Sequence, residues 1–87
     1  MLFGEKIRKH REEKKLPLRK IAAKCDIDTS ILSKIERSEI FAKPEIVPII
    51  AKTLDIDYKK LQILFLVEKI ISEYGKEKYF KDSLKDI

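Results

Sequence analysis

The chain has 87 residues with 20 Lys and Arg, 15 Asp and Glu, a net charge of +5, one Cys and one His. That length supports one domain with a modest core, and such a domain often gains stability by pairing with a second copy. One Cys and one His cannot build a zinc site or a disulfide framework, the N-terminus Met1-Leu2-Phe3-Gly4-Glu5-Lys6 lacks a signal-peptide core, and no apolar run approaches the ~20 residues that span a bilayer; we therefore expect a soluble cytoplasmic protein without membrane contact.

A first helix is expected from about Phe3 to Lys15, with Phe3, Ile7 and, less regularly, His10 and Lys14 on one side. Leu16-Pro17 ends it. Pro17 suits the first turn of a second helix, where its missing N–H costs nothing, so helix two is expected over 17–25 with Leu18, Ile21, Ala22 and Cys25 as its buried side. Asp26-Ile27-Asp28 follows as a turn: Asp tolerates the left-handed conformation, which suits Asp26, and Asp28 is a favoured N-cap for a third helix over 29–37. On that helix Ser30, Ser33, Lys34 and Arg37 fall at i, i+3, i+4 and i+7 and share one face, while Ile31, Leu32 and Ile35 point the other way. A helix so divided buries one side and offers hydroxyls, an ammonium and a guanidinium, groups that bond base edges and phosphates.

Pro44 is placed to begin a fourth helix carrying Ile46, Val47, Ile49, Ile50, Ala51 and Leu54, with Pro48 distorting its first turn. Leu54-Asp55-Ile56-Asp57 then repeats the grammar of Cys25-Asp26-Ile27-Asp28: an apolar residue, a turn Asp, a buried Ile and a capping Asp. A fifth helix over 58–74 has two apolar faces, Leu61, Leu64 and Phe65 on one and Ile63, Leu66, Val67, Ile70, Ile71 and Tyr74 on the other. Such a helix must be covered from more than one side. The first face suits the preceding helices; the second needs a tail or a dimer mate. Gly75 is placed to cap it, and Lys76 to Ile87, with Tyr79, Phe80, Leu84 and Ile87, reads as a short sixth helix. The DNA-binding unit with its dimerising helix is thus expected over 1–74, followed by a tail over 75–87.

Residues 1–44 hold 12 Lys and Arg against 7 Asp and Glu, whereas 45–87 hold 8 of each. A single lysine in the first half reads as a solvated side chain; the asymmetry as a whole points to a polyanion.

Ile7-Arg8-x-x-Arg11-Glu12, Leu18-Arg19-x-Ile21-Ala22, Ile27-x-x-Ser30-x-Leu32-Ser33-x-Ile35-Glu36-Arg37, Ile50-Ala51-x-x-Leu54 and Leu61 follow one another with ungapped spacing. In this the chain resembles the Xre/Cro-type, phage-repressor-like helix-turn-helix transcriptional regulators, and it looks similar to the controller proteins of restriction-modification systems. The resemblance implies an all-α, five-helix lambda-repressor-like DNA-binding domain with a short extra C-terminal helix. It implies that Thr29, Ser30, Ser33 and Lys34 face base edges and that Arg37 lies near a phosphate or the groove wall. The first turn of helix two would meet a phosphate through the backbone of Leu18, which stands in place of the usual Gln, with Arg19 supplying the charge. Arg11 and Glu36 occupy the positions of a structural ion pair, and Asp26 and Ser38 stand where glycine is usual.

The leading expectation is a homodimer that binds a pseudo-palindromic operator in double-stranded DNA, with Ile63, Leu66, Val67, Ile70, Ile71 and Tyr74 at the dimer interface. Arg8, Arg19 and Lys43 would displace phosphate counterions. A second class stays open, an antitoxin or adaptor-type module whose helix five binds a different protein. Nothing supports an enzyme: His10 has no triad partners and reads as a surface residue, and Gly4 and Gly75 cannot form a phosphate-cradling loop. Cys25 reads as a small hydrophobe, and Tyr58, Tyr74 and Tyr79 as packing residues. No cofactor, metal or small-molecule ligand is expected.

Overall fold

Helical periodicity accounts for the secondary structure throughout residues 1–85, which the computed structural model describes: α1 (Phe3–Glu13), α2 (Leu18–Cys25), α3 (Thr29–Glu36), α4 (Val47–Leu54), α5 (Tyr58–Tyr74) and α6 (Phe80–Lys85), with a 3-10 turn over Pro44–Ile46 and no strand among these residues. No helix among them is long and apolar enough to cross a membrane. The first five helices turn their apolar stripes into one core, in which Ile7, Ile21, Leu32, Val47, Ile50, Leu54 and Leu61 are the largest fully buried side chains. Burying each contributes about 1.5–3 kcal/mol. Phe65 carries α5 into this core, edge-on to Phe3 at 5.4 Å between ring centroids and to Phe41 at 6.5 Å.

Two contacts fix α1. A Cβ on Gly4 would stand 2.2 Å from the Ile35 carbonyl oxygen and 2.8 Å from that of Glu36, so only glycine lets α1 approach the end of α3 this closely. At the start of α1 the Phe3 N–H, one of the amides a helix cannot satisfy itself, donates to the Glu68 carboxylate of α5 at 2.5 Å.

One joint closes α1, α2, α3 and α4. Lys15, Asp26, Ser38 and Asp55 each take a left-handed φ, between 54° and 61°. In each case the next N–H reaches back five residues: Leu16 to the Arg11 carbonyl, Ile27 to Ala22, Glu39 to Lys34 and Ile56 to Ala51. This is the Schellman closure, made here without glycine. The Asp26 and Asp55 turns correspond, yet only Asp57 caps with its side chain, accepting from the Lys59 N–H at 3.2 Å; Asp28 holds the N-cap position of α3 without such a bond.

Several boundaries differ from the sequence expectation. α1 stops at Glu13 because Lys15 turns left-handed, and Pro17 stands just outside α2 as its extended N-cap instead of within its first turn. α3 ends at Glu36 with Arg37 as its C-cap. The expected fourth helix divides: Pro48 has no N–H to give to the Pro44 carbonyl, and the segment relaxes to a 3-10 turn before α4 begins at Val47. Gly75 caps α5 in a right-handed conformation, φ −61°. The sixth helix begins at Phe80 and not at Lys76, because the Glu77 and Phe80 amides close three-residue turns onto Tyr74 and Glu77. Ile87, assigned to that helix by its spacing, lies outside the described residues. Tyr58, Tyr74 and Tyr79 do not pack inside the subunit; all three are exposed. The Cα radius of gyration, 14.1 Å, exceeds the about 12 Å of a compact chain this long. The excess reflects the far end of α5 and α6, which contribute no buried residue after Phe65.

Candidate nucleic-acid interface

α3 places its side chains in two sets. Leu32, Ile35 and Glu36 are buried, whereas Thr29, Ser30 and Lys34 are exposed and Ser33 is half-buried beside them. The polar set forms one continuous face of a two-turn helix, and α2 packs across the helix from behind through Ile21, Ala22 and Cys25. Burial raises the Cys25 thiol above its ordinary pKa, so this side chain behaves as an apolar core group.

The angle of α3 is held from its C-terminal end. Arg11 donates from Nε to Glu36 Oε2 at 2.7 Å and from Nη2 to Oε1 at 3.0 Å, while Nη1 donates to the Leu16 carbonyl at 2.9 Å. The two side chains are 13% and 4% exposed, so water does little of this work. The bond to Glu36 is the main reason the Arg11 pKa rises, against the opposing effect of burial, and Arg11 stays charged at every accessible pH. One guanidinium thereby joins α1, the end of α3 and the residue that leads into α2. No buried side-chain nitrogen or oxygen among the described residues lacks a partner.

The first turn of α2 presents exposed Arg19, and Lys20 beside it, with no acidic residue in that turn. Cations at a helix N-terminus oppose the helix dipole, by about 0.3–1 kcal/mol each, and a bound anion reverses the sign. Lys20 is the cation absent from the sequence-derived set; its adjacency to Arg19 in a first turn was the available signal. Leu18 packs partly on the core, which leaves only its backbone to meet a ligand.

The remaining cations differ in their surroundings. Lys43, exposed at the start of the 3-10 turn, lines a hollow with Asp26, Asp28 and Ile31 beside the α2–α3 turn. Arg37 is paired with Glu39, and Arg8 with Glu12 at 3.5 Å. Arg8 and Arg37 line one polar concavity together with Glu5, Glu12 and Glu13. By contrast Arg19, Lys20, Lys34 and Lys43 form no ion pair among the described residues. On α5, Ile63, Leu66, Val67, Ile70, Ile71 and Tyr74 are 42–54% exposed, on the side away from Leu61 and Phe65.

A family model described as a helix-turn-helix domain matches residues 4–63, from α1 into the second turn of α5. No curated protein and no solved structure matches the chain.

Proposed function

The chain belongs to the helix-turn-helix domain family, and on that premise we propose that it is a sequence-specific DNA-binding transcriptional regulator of the Xre/Cro type, lambda-repressor-like in layout and similar to restriction-modification controller proteins. The observation that carries this reading is the exposed face of α3, Thr29, Ser30 and Lys34 with Ser33 beside them, held rigid by the Arg11–Glu36 pair. With α3 in the major groove the hydroxyls bond base edges tolerantly, and Lys34, suited to guanine O6 and N7, discriminates most. Phosphates fall to the first-turn backbone of α2 at Leu18, to Arg19 and to Lys43. Arg37 and Arg8 join by exchanging Glu39 and Glu12 for phosphate, a small cost because exposed pairs are worth about 0–1 kcal/mol.

A helix of eight residues reads few bases. Specificity therefore comes from two copies, a homodimer whose recognition helices enter successive major grooves about 34 Å apart on a pseudo-palindromic operator. The open second face of α5 supports that pairing. No catalytic step or cofactor enters this reading. Titration against duplex DNA at rising salt tests it: with about three or four phosphate contacts per copy, log K is expected to fall with log[salt] at a slope near −5 to −7. Salt-insensitive or undetectable binding overturns it.

The α5 face also favours a second reading, an antitoxin or adaptor that offers this surface to a different protein. Light scattering separates the two: a discrete dimer of the isolated chain supports the first, and an adhesive monomer the second.

A further inference from the structure

The start of α1 lacks a cap of its own. Leu2 at the N-cap position makes no side-chain bond, and the Phe3 N–H is satisfied instead by the Glu68 carboxylate of α5. One residue further along α5, Lys69 places its ammonium 4.8 Å from the centre of the Phe41 ring, and that ring stands edge-on to Phe65. α5 thereby holds two segments at once, the start of α1 and the 38–43 loop that follows α3. From Ile40 to Ala42 this loop makes no backbone–backbone hydrogen bond among the described residues. Its path therefore rests on side chains, Phe41 against α5 and Ala42 in the core.

Both segments bear on the C-terminal end of α3. Gly4 lies against the Ile35 and Glu36 carbonyls, and the loop leaves α3 through left-handed Ser38, with the Glu39 N–H donating to the Lys34 carbonyl. α1 is tied at both ends, by Arg11 to Glu36 near its C-terminus and by Glu68 to α5 at its start. The elements converge on a cavity of about 60 Å³ lined by Phe3, Gly4, Ile35, Ser38, Phe41 and Glu68. A junction with such a void is not fixed by close packing alone, so its few directional contacts carry weight. The leverage is large. An eight-residue helix is about 12 Å long, and a tilt of about 5° at this end moves Thr29 by about 1 Å. A base-edge hydrogen bond has a working range of only about 0.5 Å.

Resting on the DNA-binding reading above, we propose that Glu68 and Lys69 are positioning residues for sequence reading. Glu68 sets the angle of α3 through the start of α1. Lys69 sets the path of the 38–43 loop through Phe41, and with it the place of Lys43. Sequence discrimination is then governed from α5, by residues that act on α3 through its neighbours.

The test is the discrimination ratio of the full chain, its affinity for a duplex selected from a random pool over its affinity for random duplex, at one salt concentration. Glu68→Ala is expected to lower the ratio about tenfold, whereas Glu68→Gln, which keeps an acceptor oxygen for the Phe3 N–H, stays within about threefold of the natural chain. Leu2→Ser supplies α1 with a local cap. Leu2→Ser/Glu68→Ala is therefore expected to recover the urea midpoint of the natural chain and yet keep the lowered ratio, which separates positioning from stability. Lys69→Met and Phe41→Ala are each expected to lower the ratio about threefold, and together no further, because they break one contact. If Glu68→Ala weakens binding to both duplexes by the same factor, or if the ratio returns with the urea midpoint in Leu2→Ser/Glu68→Ala, Glu68 merely stabilises the fold and its positioning role is overturned. A loss in Lys69→Met that Phe41→Ala does not share shows direct contact of Lys69 with DNA and overturns its part, as does an unchanged ratio in both. A natural chain that prefers no duplex overturns the DNA-binding reading and the proposal with it.

Discussion

Removing one partner of the Arg11–Glu36 pair is expected to be the most damaging single change outside the apolar core. In Arg11→Met both carboxylate oxygens of Glu36 lose their donors in a site where that side chain is 4% exposed. A buried charge left alone typically costs about 3–5 kcal/mol, and this case belongs at the upper end. Glu36→Leu belongs at the lower end, near 3 kcal/mol, because Arg11 keeps the Leu16 carbonyl and 13% of its surface in water. A domain this long has a total stability of about 4–13 kcal/mol, so either change removes a large share of it. The double variant Arg11→Met/Glu36→Leu replaces the pair by two apolar side chains and loses mainly the bond to Leu16. Its expected cost is about 1 kcal/mol, the net worth of that bond. Urea unfolding followed by circular dichroism gives all three values. In thermal melts Glu36→Leu should lower Tm by roughly 12–24 °C. The reasoning fails if each single change costs under about 1 kcal/mol and the double variant equals their sum, which is the behaviour of a solvated surface bridge.

Gly4→Ala is expected to destabilise by at least about 1–3 kcal/mol in the same assay, since the added methyl meets the Ile35 and Glu36 carbonyls and must push α1 from α3. Ser38→Gly and Lys15→Gly are expected to do the opposite, each raising stability by about 0.5–1 kcal/mol by relieving a left-handed φ; a loss in both would show that those turns are not strained. Burial raises the Cys25 pKa on folding, so its contribution is present below the ordinary thiol pKa of about 8.5 and is lost as pH rises towards the folded value. Stability should accordingly decline above about pH 8.5 more steeply in the natural chain than in Cys25→Ala, and a thiol reagent should label Cys25 only as fast as the domain opens.

Features written in local periodicity were the legible part of this fold. α5 could be bounded at Tyr58 and Tyr74 because its apolar pattern runs through 17 residues, and the turns at Asp26 and Asp55 were visible because the same four-residue grammar occurs twice. The polar face of α3 followed from spacing alone. Lys15 gave no such sign, and Ser38 gave one only through the resemblance, which puts it where glycine is usual: neither residue type favours a left-handed φ, and the chain imposes it to close helices whose packing is set elsewhere. The Glu68 carboxylate that caps α1 is 65 residues from Phe3, beyond any local pattern. Gly4 looked neutral because its constraint comes from the backbone of α3 and not from its neighbours. Pro48 was recognised as a distortion, yet that it splits the segment in two depends on which carbonyl lacks its N–H. Tyr58, Tyr74 and Tyr79 read as packing residues, yet no local pattern shows what covers them, and the subunit itself leaves them open.

Within the candidate interface, spacing could place Ser30, Ser33, Lys34 and Arg37 together but could not separate free cations from paired ones. Arg37 and Arg8 are ion-paired with carboxylates, whereas Arg19, Lys34 and Lys43 form no ion pair among the described residues. That difference ranks their expected contributions to binding.

Selection of bound sequences from random duplex DNA, performed in parallel with the natural chain and with Lys34→Ala, bears most directly on the role of α3. The expected result is an enriched pseudo-palindrome whose half-sites are centred about one helical turn apart, with preference relaxed by about 1–3 kcal/mol at one symmetric base pair in the variant. No enrichment over the input pool, or an enriched site that Lys34→Ala leaves unchanged, would contradict sequence reading by the exposed face of α3.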